Sequence, residues 1–192
     1  YLTDNGTTLE RAGLIVDIDI TVEGIADITT PTAEIDVKGN KWTEFLSSIT
    51  FGLFFKDTQD VTITANDLGS GVSRIEYYLA TGEMSMDELV ALSEWVEYNG
   101  TFKINPNNRY VVYAKISDNA GNITYINSDG LVLDNAAPTL EGIENGKTYY
   151  GDLTVIKSEE QFYDIESVTL DGEPMGFDEG TYGLIPADNA EH

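Results

Sequence analysis

One stretch limits what this chain can fold into more than any other: Tyr110-Val-Val-Tyr-Ala-Lys-Ile-Ser-Asp118-Asn-Ala-Gly-Asn122-Ile-Thr-Tyr-Ile126. Tyr110, Val112, Ala114 and Ile116 alternate with Val111, Tyr113, Lys115 and Ser117. That period of two, in aromatic and β-branched residues, predicts a strand. Residues 118–122 tolerate left-handed backbone angles and bond their own main chain, so a tight turn follows and Ile123 begins a return strand. A lone hairpin is at best marginal in water, so further strands must pack on this one. With 41% hydrophobic and 10% aromatic residues, the chain can fill the core they need.

The remaining strands are legible in order. Residues 33–37 read as a first strand. Residues 60–65 alternate, with Val61, Ile63 and Ala65 inward and Thr62 and Thr64 outward. Residues 66–71 make a turn and 72–79 the next strand. The stretch 41–55 holds Trp42, Phe45, Phe51, Phe54 and Phe55 and is expected to be part strand, part plug at one end of the core. Ser85-Met-Asp-Glu88 is a capping box, predicting a helix of about two turns. Residues 95–98 and 101–104, joined by Asn99-Gly100, read as a hairpin. From Leu140 the pattern restarts, with strands expected at 147–150, 153–156, 165–170 and 181–185.

Two segments recur. Gly13-Leu-Ile-Val-Asp17 matches Gly130-Leu-Val-Leu-Asp134, and Asp27-Ile-Thr-Thr-Pro31-Thr32 matches Asp134-Asn-Ala-Ala-Pro138-Thr139. Internal repeats signal arrays of similar units. Pro31 and Pro138 stand where one unit hands over to the next, and proline's fixed φ suits a short, semi-rigid link.

The hairpin with Asp118-x-Ala-Gly-Asn122 resembles the closing strand pair of bacterial immunoglobulin-like repeat domains of Gram-positive surface proteins. Asp67-x-Gly-Ser-Gly-Val72-x-x-Ile75-x-Tyr77 resembles an earlier corner of the same family. The resemblance implies an all-β fold: tandem immunoglobulin-like β-sandwiches with one short inserted helix. Residues 1–31 would be the terminal strands of a preceding repeat plus a linker, and 32–138 a complete sandwich. Residues 139–192 would be the first part of a following repeat. Tyr1 is not a natural start, so an excised piece of a longer protein is expected, with Glu191-His192 as a tag remnant. The N-terminal hairpin is expected to lie on its own neighbour or, less favoured, to complete the C-terminal unit of another copy.

The implied function is a non-catalytic stalk or adhesion module. It would be extracellular, at the cell wall, spacing or presenting a distal binding or catalytic domain. Its partners would be adjacent repeats of the same protein and a host or glycan ligand. The alternative is an ancillary glycan-binding module of a secreted carbohydrate-active enzyme. Trp42 and Trp95 discriminate the two, buried for the stalk and exposed for the lectin.

Composition narrows the chemistry. A net charge of −24 argues against nucleic acid and anionic membrane surfaces as partners. No cysteine is present, which excludes disulfides and thiolate metal sites. No apolar run approaches the roughly 18 residues of a membrane span, so no membrane insertion is expected. The single histidine is His192, which leaves a Ser–His–Asp arrangement without support, and no enzyme activity or organic cofactor is expected. In a sandwich of this kind Asp67 would approach Asp118, Asn119 and Asn122. Their hard oxygens suit Ca²⁺. The same residue types also make turns with no ion, and turn-making is the reading the sequence alone favours.

Overall fold

The structure, a computed structural model, describes residues 9–11, 14–16, 26–157, 162, 167–177 and 182–187. Strands β1 (Leu9–Arg11) and β2 (Leu14–Val16) pair antiparallel. Their pairing runs to Arg11 opposite Leu14; the rest of residues 1–25, where most of the expected N-terminal hairpin falls, lies outside the described residues.

Ten strands between Thr32 and Leu133 then build two facing sheets, with one helix among them. Strands β3 (Thr32–Val37), β4 (Asn40–Trp42), β5 (Leu53–Phe55), β6 (Gln59–Asn66) and β7 (Val72–Ala80) come first. Helix α1 (Met86–Ala91) follows, then β8 (Val96–Glu97), β9 (Phe102–Ile104), β10 (Asn108–Asp118), β11 (Ile123–Asn127) and β12 (Leu131–Leu133). One sheet has the order β4-β3-β6-β9, with Ile35 opposite Ile63 and Val37 opposite Val61. The other runs β5-β12-β10-β7-β8. Within it β10 pairs β7 from Val111↔Ala80 onward, while β12 covers Asn108–Tyr110 and β11 covers Tyr113–Ser117. The contact of β5 with β12 is parallel.

The alternation in β6 fixes which face is buried. Val61 and Ile63 point inward with Ile35, Val37 and Ile104, and meet Val112, Ala114, Ile116, Ile126, Leu131 and Leu133 of the opposite sheet. Each such Val, Ile or Leu side chain, fully buried, contributes about 1.5–3 kcal/mol before the entropy of ordering it. Strand β10 is buried on its other face as well. Val111 and Tyr113 pack outward against Ala80 and Leu89, with Phe45, Ile49 and Phe51 around them. Helix α1 and the arm 43–52 therefore cover the outer face of the second sheet. The expectation that this aromatic stretch plugs one end of the core is corrected accordingly. Polar clasps hold the arm in place: Asn127 Oδ1 accepts the Leu46 N–H at 2.6 Å. Asp129 accepts from the Thr50 N–H at 2.7 Å and its hydroxyl at 2.6 Å.

The capping box is formed as read: Glu88 N–H donates to Ser85 Oγ, and the Glu88 carboxylate accepts the Ser85 N–H at 2.7 Å. The expected hairpin around Asn99-Gly100 is not. Strand β8 pairs with β7 in one sheet and β9 pairs with β6 in the other, so this link crosses between sheets. Tyr98 explains why. Its N–H bonds the Ile75 carbonyl of the second sheet, while its hydroxyl accepts the Ile63 N–H of the first at 3.0 Å.

Beyond Pro138, β13 (Leu140–Glu141), β14 (Leu153–Lys157) and β17 (Tyr182–Ile185) form an antiparallel sheet. Strands β15 (Thr169–Leu170) and β16 (Glu173–Pro174) form a hairpin turned by Asp171-Gly172, both at positive φ. Residues 147–150, expected as a strand, are irregular, and 163–166 lie outside the described residues. Among the described residues the fold is all-β with one short helix.

The chain enters and leaves the two-sheet unit at opposite ends. Near the Asp118 end of β10, the Pro31 carbonyl accepts the Thr124 hydroxyl at 2.6 Å and Thr32 Oγ1 bonds the Asn66 carbonyl. At the Asn108 end, the Asp134 N–H bonds the Phe55 carbonyl and the Asn135 N–H bonds Asn107 Oδ1. Strand β10 has 11 residues; at roughly 3.4 Å per residue the two ends are separated by about 35 Å.

Candidate metal centre

The entry end gathers three carboxylates. Asp27, Asp67 and Asp118 each present an oxygen within 4.8 Å of the others. Asp118 closes β10, where the pairing with β7 slips by a residue after Ser117. It is 3% exposed. Its Oδ1 accepts the Asn122 N–H at 2.8 Å and its Oδ2 the Asn122 side-chain amide at 2.7 Å. Gly121, at φ +94°, lets the chain turn back tightly enough for both bonds. Asp67 lies in the turn between β6 and β7, its Oδ2 accepting the Gly71 N–H at 2.7 Å.

Asp27 comes from the linker ahead of β3. Its Oδ1 accepts from the Thr29 N–H at 3.0 Å and the Thr29 hydroxyl at 2.6 Å, and its Oδ2 from the Ser70 N–H at 2.7 Å. A side chain at position 69 would run into the Asp27 carboxylate, so Gly69 is what admits the linker. Asn122 ties the parts together, because its amide also donates to the Asp27 carbonyl at 3.1 Å.

The electrostatics are lopsided. Thr29 and Ser70 donors hold the Asp27 carboxyl well below the usual carboxylate range. Burial alone would push Asp118 up, but the Asn122, Gly121 and Ala120 donors outweigh it and the net shift is downward. Among the described residues no Lys or Arg forms an ion pair with any of the three. Three anions thus stand together, compensated by N–H and O–H dipoles alone. An all-oxygen donor set of this kind fits a hard cation such as Ca²⁺.

Of the residues the sequence nominated, Asp67 and Asp118 are brought together and Asn122 lies beside them. Asn119 is used otherwise: its amide donates to the Ser70 and Gly71 carbonyls at 2.9 and 3.0 Å and latches the two loops. Asp27 was not nominated. Its signal was the repeat itself, an Asp four residues before each linker proline. The second copy keeps the local geometry, with the Ala136 N–H on Asp134 Oδ1 at 2.9 Å.

Trp42 and Trp95 are both half-buried and pack on different cores, Trp42 between the sheets and Trp95 on the outer face. The Trp95 ring is 5.9 Å from Tyr125 and lies under the Lys115 ammonium at 5.6 Å. Among the described residues, no helix is long and apolar enough to cross a membrane. No protein-family model, no curated protein and no solved structure matches the chain.

Proposed function

We propose that the chain is a non-catalytic immunoglobulin-like spacer or adhesion module of a bacterial cell-surface protein, set in series with neighbouring units. The observation that carries this is the placement of entry and exit at opposite ends of β10. A unit threaded this way adds its full length to whatever it joins. The strand order supports the immunoglobulin-like reading, since β3, β6 and β9 in one sheet face β7, β10 and β11–β12 in the other. Function follows from the site and not from fold alone, so the test is physical. X-ray scattering on the whole chain is expected to give a radius of gyration well above the roughly 16 Å of a compact chain this long. A compact value refutes the spacer reading, and binding to a glycan array would favour the ancillary-module alternative.

Within the same reading, Asp27, Asp67 and Asp118 would hold Ca²⁺ at the entry end. They supply three of the six to eight oxygens Ca²⁺ takes. A bound ion would tie the linker to both loops and stiffen the joint with the preceding unit. Millimolar Ca²⁺ is expected to raise the melting temperature, EDTA to reverse the rise, and Asp27→Asn to abolish it. A melting temperature indifferent to both additions leaves the three carboxylates as turn-makers only.

A further inference from the structure

We propose that Asn99-Gly100 is a self-modification site, where the chain converts Asn99 to isoaspartate and aspartate without an enzyme. The main-chain nitrogen of Gly100 loses its proton to hydroxide and attacks the Asn99 side-chain carbonyl. Ammonia leaves, and a five-membered imide joins the two residues. Water then opens the imide at either carbonyl: one route gives aspartate, the other an isoaspartate whose backbone runs through the former side chain. No oxidant or metal is required.

Three observations select this position. Asn99 and Gly100 are both exposed, and nothing lies within 4 Å of where a Gly100 side chain would stand, so no neighbour hinders the approach of the Gly100 nitrogen to the Asn99 side-chain carbonyl. Neither residue is in a strand or helix, and among the described residues no hydrogen bond holds the Asn99 amide or the Gly100 N–H. The other asparagines in turns differ. Asn145-Gly146 is as exposed and as open, and both glycines are at positive φ, +128° for Gly100 and +74° for Gly146. But Asn145-Gly146 is closed into a turn by the Lys147 N–H on the Glu144 carbonyl at 3.3 Å, and no such bond spans Asn99-Gly100 among the described residues. Asn122 is bound to Asp118 and is followed by the β-branched Ile123. Asn5-Gly6 lies outside the described residues.

The consequence follows from what flanks the site. Tyr98 is pinned to both sheets, and Phe102 stacks on Tyr77 with ring centroids 4.1 Å apart. Isoaspartate lengthens the backbone between these two anchors by one carbon and adds a negative charge. The crossing between the sheets then loosens with age, in a chain that already carries a charge of −24.

The full-length chain is incubated folded, and separately in concentrated urea, at mildly alkaline pH. Peptide mass spectrometry follows the amide-to-acid mass gain, and isoaspartyl methyltransferase labelling identifies the rearranged product. In the folded chain Asn99 is expected to convert several times faster than Asn145, and in urea at a similar rate. The Asn99→Gln chain should lose the fast phase alone. Equal rates for the two sites in the folded chain, or an Asn99 that converts only in urea, overturn the proposal.

Discussion

Replacing Leu89 by Ala measures whether helix α1 is part of the fold or merely rests on it. Leu89 is 0% exposed and packs with Ala80, Val111 and Tyr113 on the outer face of the second sheet. The substitution removes three carbons; at about 0.8 kcal/mol per buried CH₂ that is about 2.4 kcal/mol. The cavity left behind relaxes only partly, which brings the expected loss to about 3–4 kcal/mol. For a unit of about 100 residues, each kcal/mol moves the melting temperature by roughly 4–8 °C, so the midpoint should fall by about 12 °C or more. Urea titration followed by tryptophan fluorescence reads this directly, since Trp95 packs in the same cluster. Val90, on the same helix and 64% exposed, is the control: Val90→Ala should stay within about 0.5 kcal/mol of the parent. A Leu89→Ala loss below about 1 kcal/mol would refute the reasoning, because it would make α1 a surface attachment and leave the burial of β10 on both faces without energetic weight.

Three further outcomes are expected. Gly130→Ala should cost about 1–3 kcal/mol in chemical denaturation, because the new methyl overlaps the Phe51 ring and Phe51 is itself held at φ +51°. Ser85→Ala removes the acceptor of the capping box and should cost about 1 kcal/mol, with most of the loss recovered by Ser85→Asp. Asp129 gives the pH prediction. Burial pushes its carboxyl up, but the Thr50 and Gly130 donors outweigh that and its folded-state pKa lies below the ordinary value of about 3.9. Its contribution to stability is therefore full well above the unfolded-state pKa and is lost as the pH falls through the folded-state pKa. The stability gap between the parent and Asp129→Asn should be constant near neutrality and close on acidification; a gap that widens there would contradict the sign.

The parts legible in the sequence are those whose determinants are local. Val61, Ile63 and their threonine neighbours carry the strand period themselves, Ser85 and Glu88 satisfy each other, and Asp118 turns its own hairpin. What was misread depended on distant partners. Asn99-Gly100 carries a hairpin signal, but Tyr98 bonds Ile63 in one sheet and Ile75 in the other, and that tertiary pairing overrides the dipeptide. Phe45, Ile49 and Phe51 announce burial without saying on which side of β10 it occurs. At the candidate metal centre, Asp67 and Asp118 sit in recognisable turns. Asp27 does not: what brings it in is the absence of a side chain at Gly69 and the bond from Asn122, which is 95 residues away.

The parallel pairing of β5 with β12 has a consequence under load. Leu131, Val132 and Leu133 lie in register with Leu53, Phe54 and Phe55, and the Asp134 N–H extends the ladder to Phe55. Tension applied through the exit at Asp134 would draw β12 along its own axis, while β5 and β10 hold it from both sides. The ladder bonds lie across that pull, so they are sheared together and do not open one after another as they would in a hairpin peeled from its end. Rupture under a given pull is governed by the unfolding rate and not by the equilibrium free energy. Three residues of β12, clamped between two neighbours, would then set how hard this unit can be pulled before it gives.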